Sequence, residues 1–136
     1  MSLDPQRPPG PPGPRLLDYV IVPLLYYLAA KAAVQLTVMP EGTAIVWPPN
    51  GVLLAAFLRF RRQGVFAFAG LTIIAEIAAD WPVFTLFEST LFGLINVTEV
   101  TLAYALLERL RFDARFPTPA DLAKFVVAGP LIAAFI

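Results

Sequence analysis

Residues 44–60 read AIVWPPNGVLLAAFLRF, an apolar stretch that is interrupted in its first half by two prolines, an asparagine and a glycine. Because proline has no N–H group and its ring clashes with the preceding turn, this stretch cannot be one unbroken helix. Proline fits well in a first helical turn, so we predict that a helix begins at or near Pro48–Pro49. If Arg59 lies at the membrane interface, about ten residues rise roughly 15 Å, which places the helix start near the middle of a bilayer.

The other apolar segments are long enough to cross or nearly cross a membrane. As helices they extend between about 24 and 36 Å, against a hydrocarbon core of about 30 Å. We therefore predict an all-α fold, a polytopic transmembrane helical bundle with four complete spans and an incomplete fifth. The predicted spans are residues 16–39, 44–60, 64–81 and 83–107, and residues 121–136 form the incomplete fifth.

Composition points to the lipid bilayer as the main partner. Hydrophobic residues make up 58% of the chain and the mean hydropathy is +0.71, well above the usual range of soluble domains. Ten basic residues balance ten acidic ones, so nucleic acid is not an expected partner. The chain has no Cys and no His, which excludes the usual thiol, haem and zinc sites and His-dependent catalysis. We expect no catalytic residue, no cofactor and no metal site.

The first 15 residues differ from the rest of the chain. They hold six of the 14 prolines and no apolar run that could form the core of a signal peptide. We predict a disordered, proline-rich cytoplasmic tail over residues 1–15 and an integral membrane domain over residues 16–136.

Arginines alternate from loop to loop, and short loops rich in Lys and Arg stay in the cytoplasm. The intervening loops hold Glu41 and Asp80 and no arginine. The pattern predicts a multi-pass protein with a cytoplasmic N-terminus. The arginines concerned are Arg7 and Arg15, then Arg59, Arg61 and Arg62, and finally Arg109, Arg111 and Arg115.

The broken second span supplies the first candidate binding site. A helix start inside hydrocarbon is costly unless protein buries it or it faces a cavity, and its positive dipole end attracts carboxylates, phosphates or carbonyls. We therefore predict ligand binding at Trp47, Pro48, Pro49, Asn50 and Gly51. A kink that neighbouring helices satisfy is the alternative.

Polar residues within the other spans supply further candidates. Asn96 and Glu99 are three residues apart and share one face of the fourth span, where an unpaired charge costs about 2.5–3.5 kcal/mol. We therefore predict that both side chains face the bundle interior and that Glu99 has a partner there, either in a ligand site or in a buried clamp between helices. Nearer the outer surface, Lys31 either pairs with Glu76 or Glu88 across spans or extends its charge to the interface.

Several of these elements together resemble a known family, the first family of bacterial membrane-associated sensor domains in the MASE group. The likeness rests on the aromatic-proline-proline element, the Arg-rich turn after it, an acidic corner, the Asn96–Glu99 pair and a Phe-Pro-Thr-Pro element. These elements are Val46–Trp47–Pro48–Pro49–Asn50–Gly51, Arg59–Phe60–Arg61–Arg62, Glu76 to Asp80, Asn96–Glu99, and Phe116–Pro117–Thr118–Pro119 before Asp121 and Phe125.

The resemblance implies a sensory input domain in the bacterial inner membrane, joined to a cytoplasmic histidine kinase or a diguanylate cyclase. The chain would be the N-terminal half of such a sensor region, without its output module, and so would not itself be an enzyme. Its expected partners are an unknown small ligand, the output domain and a possible second copy in a homodimer. The alternative is a small transporter, or a substrate-binding membrane subunit, that uses the broken helix as its translocation site.

The arginine pattern gives a topology that reporter fusions can test. Fusions after Arg15, Glu41, Arg62, Asp80 and Arg111 should lie alternately inside and outside the cell, starting inside, because short loops obey the charge bias most strongly. An exported reporter at Arg62 would contradict the scheme.

Overall fold

The computed structural model describes residues 13–37, 47–61 and 63–128, and in these residues it contains five α-helices and no strand. The predicted all-α fold is confirmed. The predictions for the tail up to residue 12, for the loop containing Glu41 and for residues 129–136 lie outside the described residues. The helices are α1 (Asp18–Thr37), α2 (Pro49–Phe60), α3 (Val65–Asp80), α4 (Leu86–Arg109) and α5 (Pro119–Ala128).

Helices α1 and α3 run in the same direction, side by side. Near their beginnings the rings of Tyr19 and Phe68 stack with centroids 4.9 Å apart. Near their ends the ammonium of Lys31 donates to the carbonyl oxygen of Ala79 at 3.0 Å. Helix α3 also packs against α4 and α2, so it contacts each of the other three helices of the bundle.

Helices α2 and α4 also run parallel to each other and antiparallel to the first pair. The rings of Phe57 and Tyr104 meet edge to face with centroids 5.8 Å apart. One turn further along, the guanidinium of Arg61 lies 3.9 Å from the carboxylate of Glu108. Helix α5 follows a short connection and packs against α4.

This arrangement brings the arginines of separate segments to one end of the bundle. Helices α1 and α3 begin there, and α2 and α4 end there. We call it the arginine end, and the opposite end, where residues 81–85 join α3 to α4, the Trp81 end. The arginines at the arginine end are Arg15, Arg59, Arg61, Arg109, Arg111 and Arg115.

Helix α2 begins at Pro49, with Pro48 as the residue before it, as the sequence predicts. The first four N–H groups of a helix have no partner within it, and the two prolines remove two of these donors altogether. A third, the N–H of Gly51, donates to the Pro48 carbonyl at 3.0 Å. With 12 residues, α2 rises only about 18 Å, roughly half the thickness of a bilayer.

Within the described residues, α4 is the one helix that is long and apolar enough, by its length and composition, to cross a membrane. The four complete spans of the prediction are therefore not confirmed. The Pro49 start shortens α2, and the bounds Gly64 and Trp81 limit α3 to 16 residues, or about 24 Å.

The interior of the bundle is formed by aromatic and aliphatic side chains, among which Tyr26, Leu53, Phe57, Phe68 and Leu107 are almost completely buried. The outward faces of α1 and α4 are also apolar. Exposed apolar faces of this kind are typical of contact with lipid or with another protein. The outward side chains include Val20, Ile21, Leu24, Leu25, Leu28, Leu86, Phe87, Leu91, Leu94, Ile95 and Leu102.

Gly64, which precedes α3, generates a prediction about stability. Its φ is +75°, and a Cβ there would lie 2.9 Å from the Tyr19 hydroxyl and 3.2 Å from the Phe68 ring. Gly64→Ala should lower the free energy of unfolding by about 1–3 kcal/mol because of backbone strain and overpacking. Reversible unfolding in detergent micelles measures the change.

Gly70→Ala is the matched control, because nothing lies within 4 Å of a Cβ at that helical position. It should raise the free energy of unfolding by about 0.5–1 kcal/mol, since alanine restricts the unfolded chain more than glycine does. Equal effects of the two substitutions would contradict the assigned role of Gly64.

Candidate functional site

A group of polar side chains lies between the four bundle helices, and we call it the polar cluster. Helices α1, α2 and α3 each contribute one side chain, and α4 contributes two. Such groups are rare among apolar helices and usually need partners, so their arrangement is informative. The members are Tyr26, Asn50, Glu76, Asn96 and Glu99.

Asn96 is the centre of this cluster and is 9% exposed. Its amide nitrogen donates to Glu76 Oε1 at 2.8 Å and to the Tyr26 hydroxyl at 3.3 Å. Its amide oxygen accepts from Asn50 Nδ2 at 3.4 Å. One side chain thus connects α4 to each of the other three helices.

Asn50 connects the beginning of α2 to the middle of α4. Its Nδ2 donates to Glu99 Oε2 at 3.0 Å as well as to Asn96, and its side chain does not cap its own helix. The partner that the sequence led us to expect for Glu99 is therefore the Asn50 amide.

The five residues predicted as one site at the helix break face different surroundings. Trp47 is half-buried, and its indole N–H lies beside the Tyr26 hydroxyl without a hydrogen bond of good geometry. Pro49 is buried and Pro48 is exposed. Gly51 instead lines a groove on another side of α2. Only Trp47 and Asn50 of the five therefore bring polar groups to the polar cluster.

Of the two alternatives for Lys31, the pairing with Glu76 or Glu88 is wrong. The Lys31 ammonium donates to the carbonyl oxygens of Ala79 and Trp81, at 3.0 and 2.8 Å. These belong to the end of α3, where a helix leaves carbonyls without partners, so a cation is favoured there. Glu88 instead accepts from the N–H and the hydroxyl of Thr85, at 2.8 and 2.7 Å, and completes a capping box at the start of α4.

Glu76 lies deeper in the bundle than the sequence suggested, with none of its surface exposed. Besides the bond from Asn96 it has the Tyr26 hydroxyl as a neighbour. Its Oε2 atom has no hydrogen-bond partner among the described residues, and neither has Asn50 Oδ1. Two acceptors in the cluster therefore lack donors.

Sequence reasoning did not predict the burial of Tyr26 and Asp80. Asp80 is 1% exposed, near the Ser89 hydroxyl and the Lys31 ammonium, without a well-formed bond to either. It follows Glu76 by four residues and so lies on the same face of α3, a spacing that could have indicated it. Nothing in the apolar run around Tyr26 distinguishes it from an interfacial tyrosine.

The chemistry of the polar cluster favours a ligand that donates hydrogen bonds. It holds two carboxyl groups and, in the described part of the chain, no basic side chain that would pair with the anion that the helix dipole led us to expect. The unpartnered oxygens of Glu76 and Asn50 suit an N–H or O–H donor instead. Within the same residues, no group of three Asp or Glu side chains is close enough to share a metal ion.

Comparison with known proteins identifies the family. A family model, MASE1, matches residues 19–136 and so covers α1 to α5 with the whole polar cluster. The chain belongs to the MASE1 family. MASE1 domains are membrane sensory domains found in signalling proteins, and the resemblance seen in the sequence is confirmed. Neither the curated proteins nor the solved structures contain a match to the chain.

The central position of Asn96 in this MASE1 domain predicts a large effect of its removal. Asn96→Ala breaks hydrogen bonds to three helices and leaves Glu76 buried with no amide donor. Hydrogen bonds between membrane helices contribute about 0.6 kcal/mol each and up to about 1.7, so the free energy of unfolding should fall by about 1–4 kcal/mol. Chemical denaturation in micelles measures it.

Thr98→Ala is the matched control. Thr98 is exposed on the same helix and bonds only to the carbonyl of Leu94 in its own helix. Its replacement should change the free energy of unfolding by less than about 0.5 kcal/mol. If the two variants were equally stable, the polar cluster would not hold the bundle together.

Proposed function

We propose that this MASE1 domain is the sensory input unit of a signal-transduction protein in the bacterial inner membrane. In this proposal a stimulus changes how the start of α2 is held against α4. The observation that carries it is the pair of hydrogen bonds from Asn50 Nδ2 to Glu99 and Asn96, at 3.0 and 3.4 Å. Through them the shortest bundle helix is joined to the buried polar cluster.

Helix α2 is suited to transmit such a change. It is continuous from Pro49 to Phe60 and so carries a movement of its beginning over about 18 Å to the arginine end. There Arg61 lies 3.9 Å from Glu108 of α4, a loose contact between exposed side chains. A stimulus shifts the equilibrium only if it binds one arrangement of α2 more tightly than the other.

The proposed membrane arrangement has four crossing segments and a cytoplasmic N-terminus, and α2 forms only the cytoplasmic half of the second segment. Its support is the concentration of arginines at one end of the bundle, which matches the cytoplasmic side of short-loop membrane proteins. The 20 residues of α1 rise about 30 Å, and the shorter α3 suits a locally thinned bilayer. The exposed apolar faces of α1 and α4 then contact lipid.

The proposed ligand is a small molecule with N–H or O–H donors, because the polar cluster offers unpartnered oxygens of Glu76 and Asn50. The proposed output lies in a separate cytoplasmic module, a histidine kinase or a diguanylate cyclase, as the family resemblance implies. The chain itself then performs no catalysis, and signalling by pairs of kinase or cyclase modules favours a homodimer.

Substitutions of Asn50 test the proposal in the full-length signalling protein. Asn50→Ala removes both bonds to α4, and at about 0.6 kcal/mol for each bond the resulting shift in kinase or cyclase output should be at least roughly eightfold. Glu99→Gln keeps an acceptor for Asn50 and removes the charge, so it should change output less. Thr98→Ala, on the lipid side of α4, is the control and should change nothing.

Unfolding measurements on the same variants separate signalling from packing. If output falls in proportion to stability across the set, the polar cluster is only a clamp and the sensory role is contradicted. If the purified protein instead takes up a solute into vesicles, and Asn50→Ala stops that uptake, the transporter alternative replaces the sensor.

A further inference from the structure

A cavity of about 660 Å³ opens at the arginine end, between the end of α2, the end of α4 and the connection to α5. Leu58 and Leu107 form part of its wall, and its remaining lining is mostly charged. It is separate from the polar cluster, which lies about half a membrane away along α2. The charged side chains are those of Arg61, Arg111, Arg115, Glu108 and Asp113.

Two of the arginines keep most of their charge available to a ligand. Arg115 is paired with Asp113 at 2.6 Å, and hydrogen bonds from its side chain lower the pKa of Asp113 to about 2, so this pair is neutral at physiological pH. Arg61 contacts Glu108 only at 3.9 Å, and Glu108 also accepts from the Tyr104 hydroxyl at 2.8 Å. No carboxylate in the described part of the chain lies within 4 Å of the Arg111 guanidinium.

An apolar groove of about 440 Å³ continues from this cavity along α2, and the two share Leu58, Phe112 and Ala114. Its floor includes Ala55 and Gly51. Between Arg59 at its mouth and Gly51, eight residues of α2 rise about 12 Å towards the middle of the bilayer. Its far wall is an aromatic group whose ring centroids lie 5.2 to 5.8 Å apart, formed by Phe112, Phe116 and Phe125.

We propose that the cavity and the groove together bind one anionic phospholipid, with its phosphate between Arg61 and Arg111 and an acyl chain along Ala55 towards Gly51. The charge of the cavity matches the headgroup, and the groove begins at the expected interface and runs in the direction of an acyl chain. Basic pockets between helices on the cytoplasmic side are suited to anionic headgroups. A phospholipid explains both parts of the site better than a second copy of the chain does. An apolar helix of a second copy would fill the groove but would leave both guanidinium groups without an anion.

The backbone at the two arginines supports their role. Arg61 and Arg111 follow the ends of α2 and α4 with φ values of 52° and 50°, in the left-handed region where helices usually place glycine. An arginine at such a position is less favourable for the backbone than glycine. Both positions nevertheless carry a guanidinium that lines the cavity.

Native mass spectrometry of the purified full chain, titrated with single lipids, tests the proposal. The probes are phosphatidylglycerol and phosphatidylcholine with the same acyl chains. The wild type should bind phosphatidylglycerol more tightly, and the Arg61→Gln, Arg111→Gln double variant should lose about fivefold in affinity per arginine. Arg109→Gln removes one charge at the same end, outside the cavity lining, and should keep the preference, whereas Arg61→Gln alone and Arg111→Gln alone should each weaken it about fivefold.

Two further variants complete the design. Ala55→Phe fills the groove without changing the charge and should weaken binding of both lipids. If the double Gln variant does not fold, Arg61→Gly with Arg111→Gly removes the same charges and relieves the positive φ, and it should show the same loss. Glycerol 3-phosphate is added as a soluble phosphate and should not displace the phospholipid.

Several outcomes would overturn the proposal. Retained preference in the double variants, or an equal loss in Arg109→Gln, would mean that diffuse surface charge attracts the lipid. Displacement by glycerol 3-phosphate, or binding unchanged by Ala55→Phe, would exclude the groove as an acyl-chain site. A dimer that Ala55→Phe abolishes, with no lipid bound to the wild type, would assign the groove to a second copy.

Discussion

The bundle depends on how a helix that begins in an apolar interior satisfies its polar groups. Pro48 and Pro49 have no N–H groups, so they leave fewer backbone donors without a hydrogen-bond partner. The Asn50 side-chain amide donates to α4 instead of to its own helix. Asn96 accepts a hydrogen bond from that amide and donates hydrogen bonds to Glu76 and Tyr26. The position of α2 is therefore set by a hydrogen-bonded group that no two helices could form by themselves, and this is the physical basis of the proposed sensory role.

The sequence predicted those features that local chemistry determines. The start of α2 follows from the missing N–H groups of proline, and the inward direction of Asn96 and Glu99 follows from their spacing on one helix and the cost of charge in lipid. The partner of Lys31 could not be predicted, because a long side chain reaches many groups and the carbonyls at the end of α3 became available only through the corner that follows. Tyr26 was missed because its role depends on neighbours from α3 and α4.

Asn50 and Gly51, which are neighbours at the start of α2, face different parts of the structure. Asn50 is directed to the polar cluster, whereas Gly51 lines the groove proposed for an acyl chain. The absence of a side chain at Gly51 leaves that groove open towards the middle of the bilayer. A change in the tilt or rotation of α2 would therefore alter both surfaces together, so lipid composition and a ligand at the polar cluster would act on the same helix.

The bonds from Lys31 to the carbonyls of Ala79 and Trp81 restrict the kinds of motion that the bundle allows. They fasten α1 to the α3–α4 corner, so α1 cannot slide along α3 while they remain intact. Rearrangements that preserve them would keep α1 and α3 together at the Trp81 end, so relative movement of the two helices would be larger towards the other end. The arginine end would then move most, and this is the end to which the proposed cytoplasmic module would be joined.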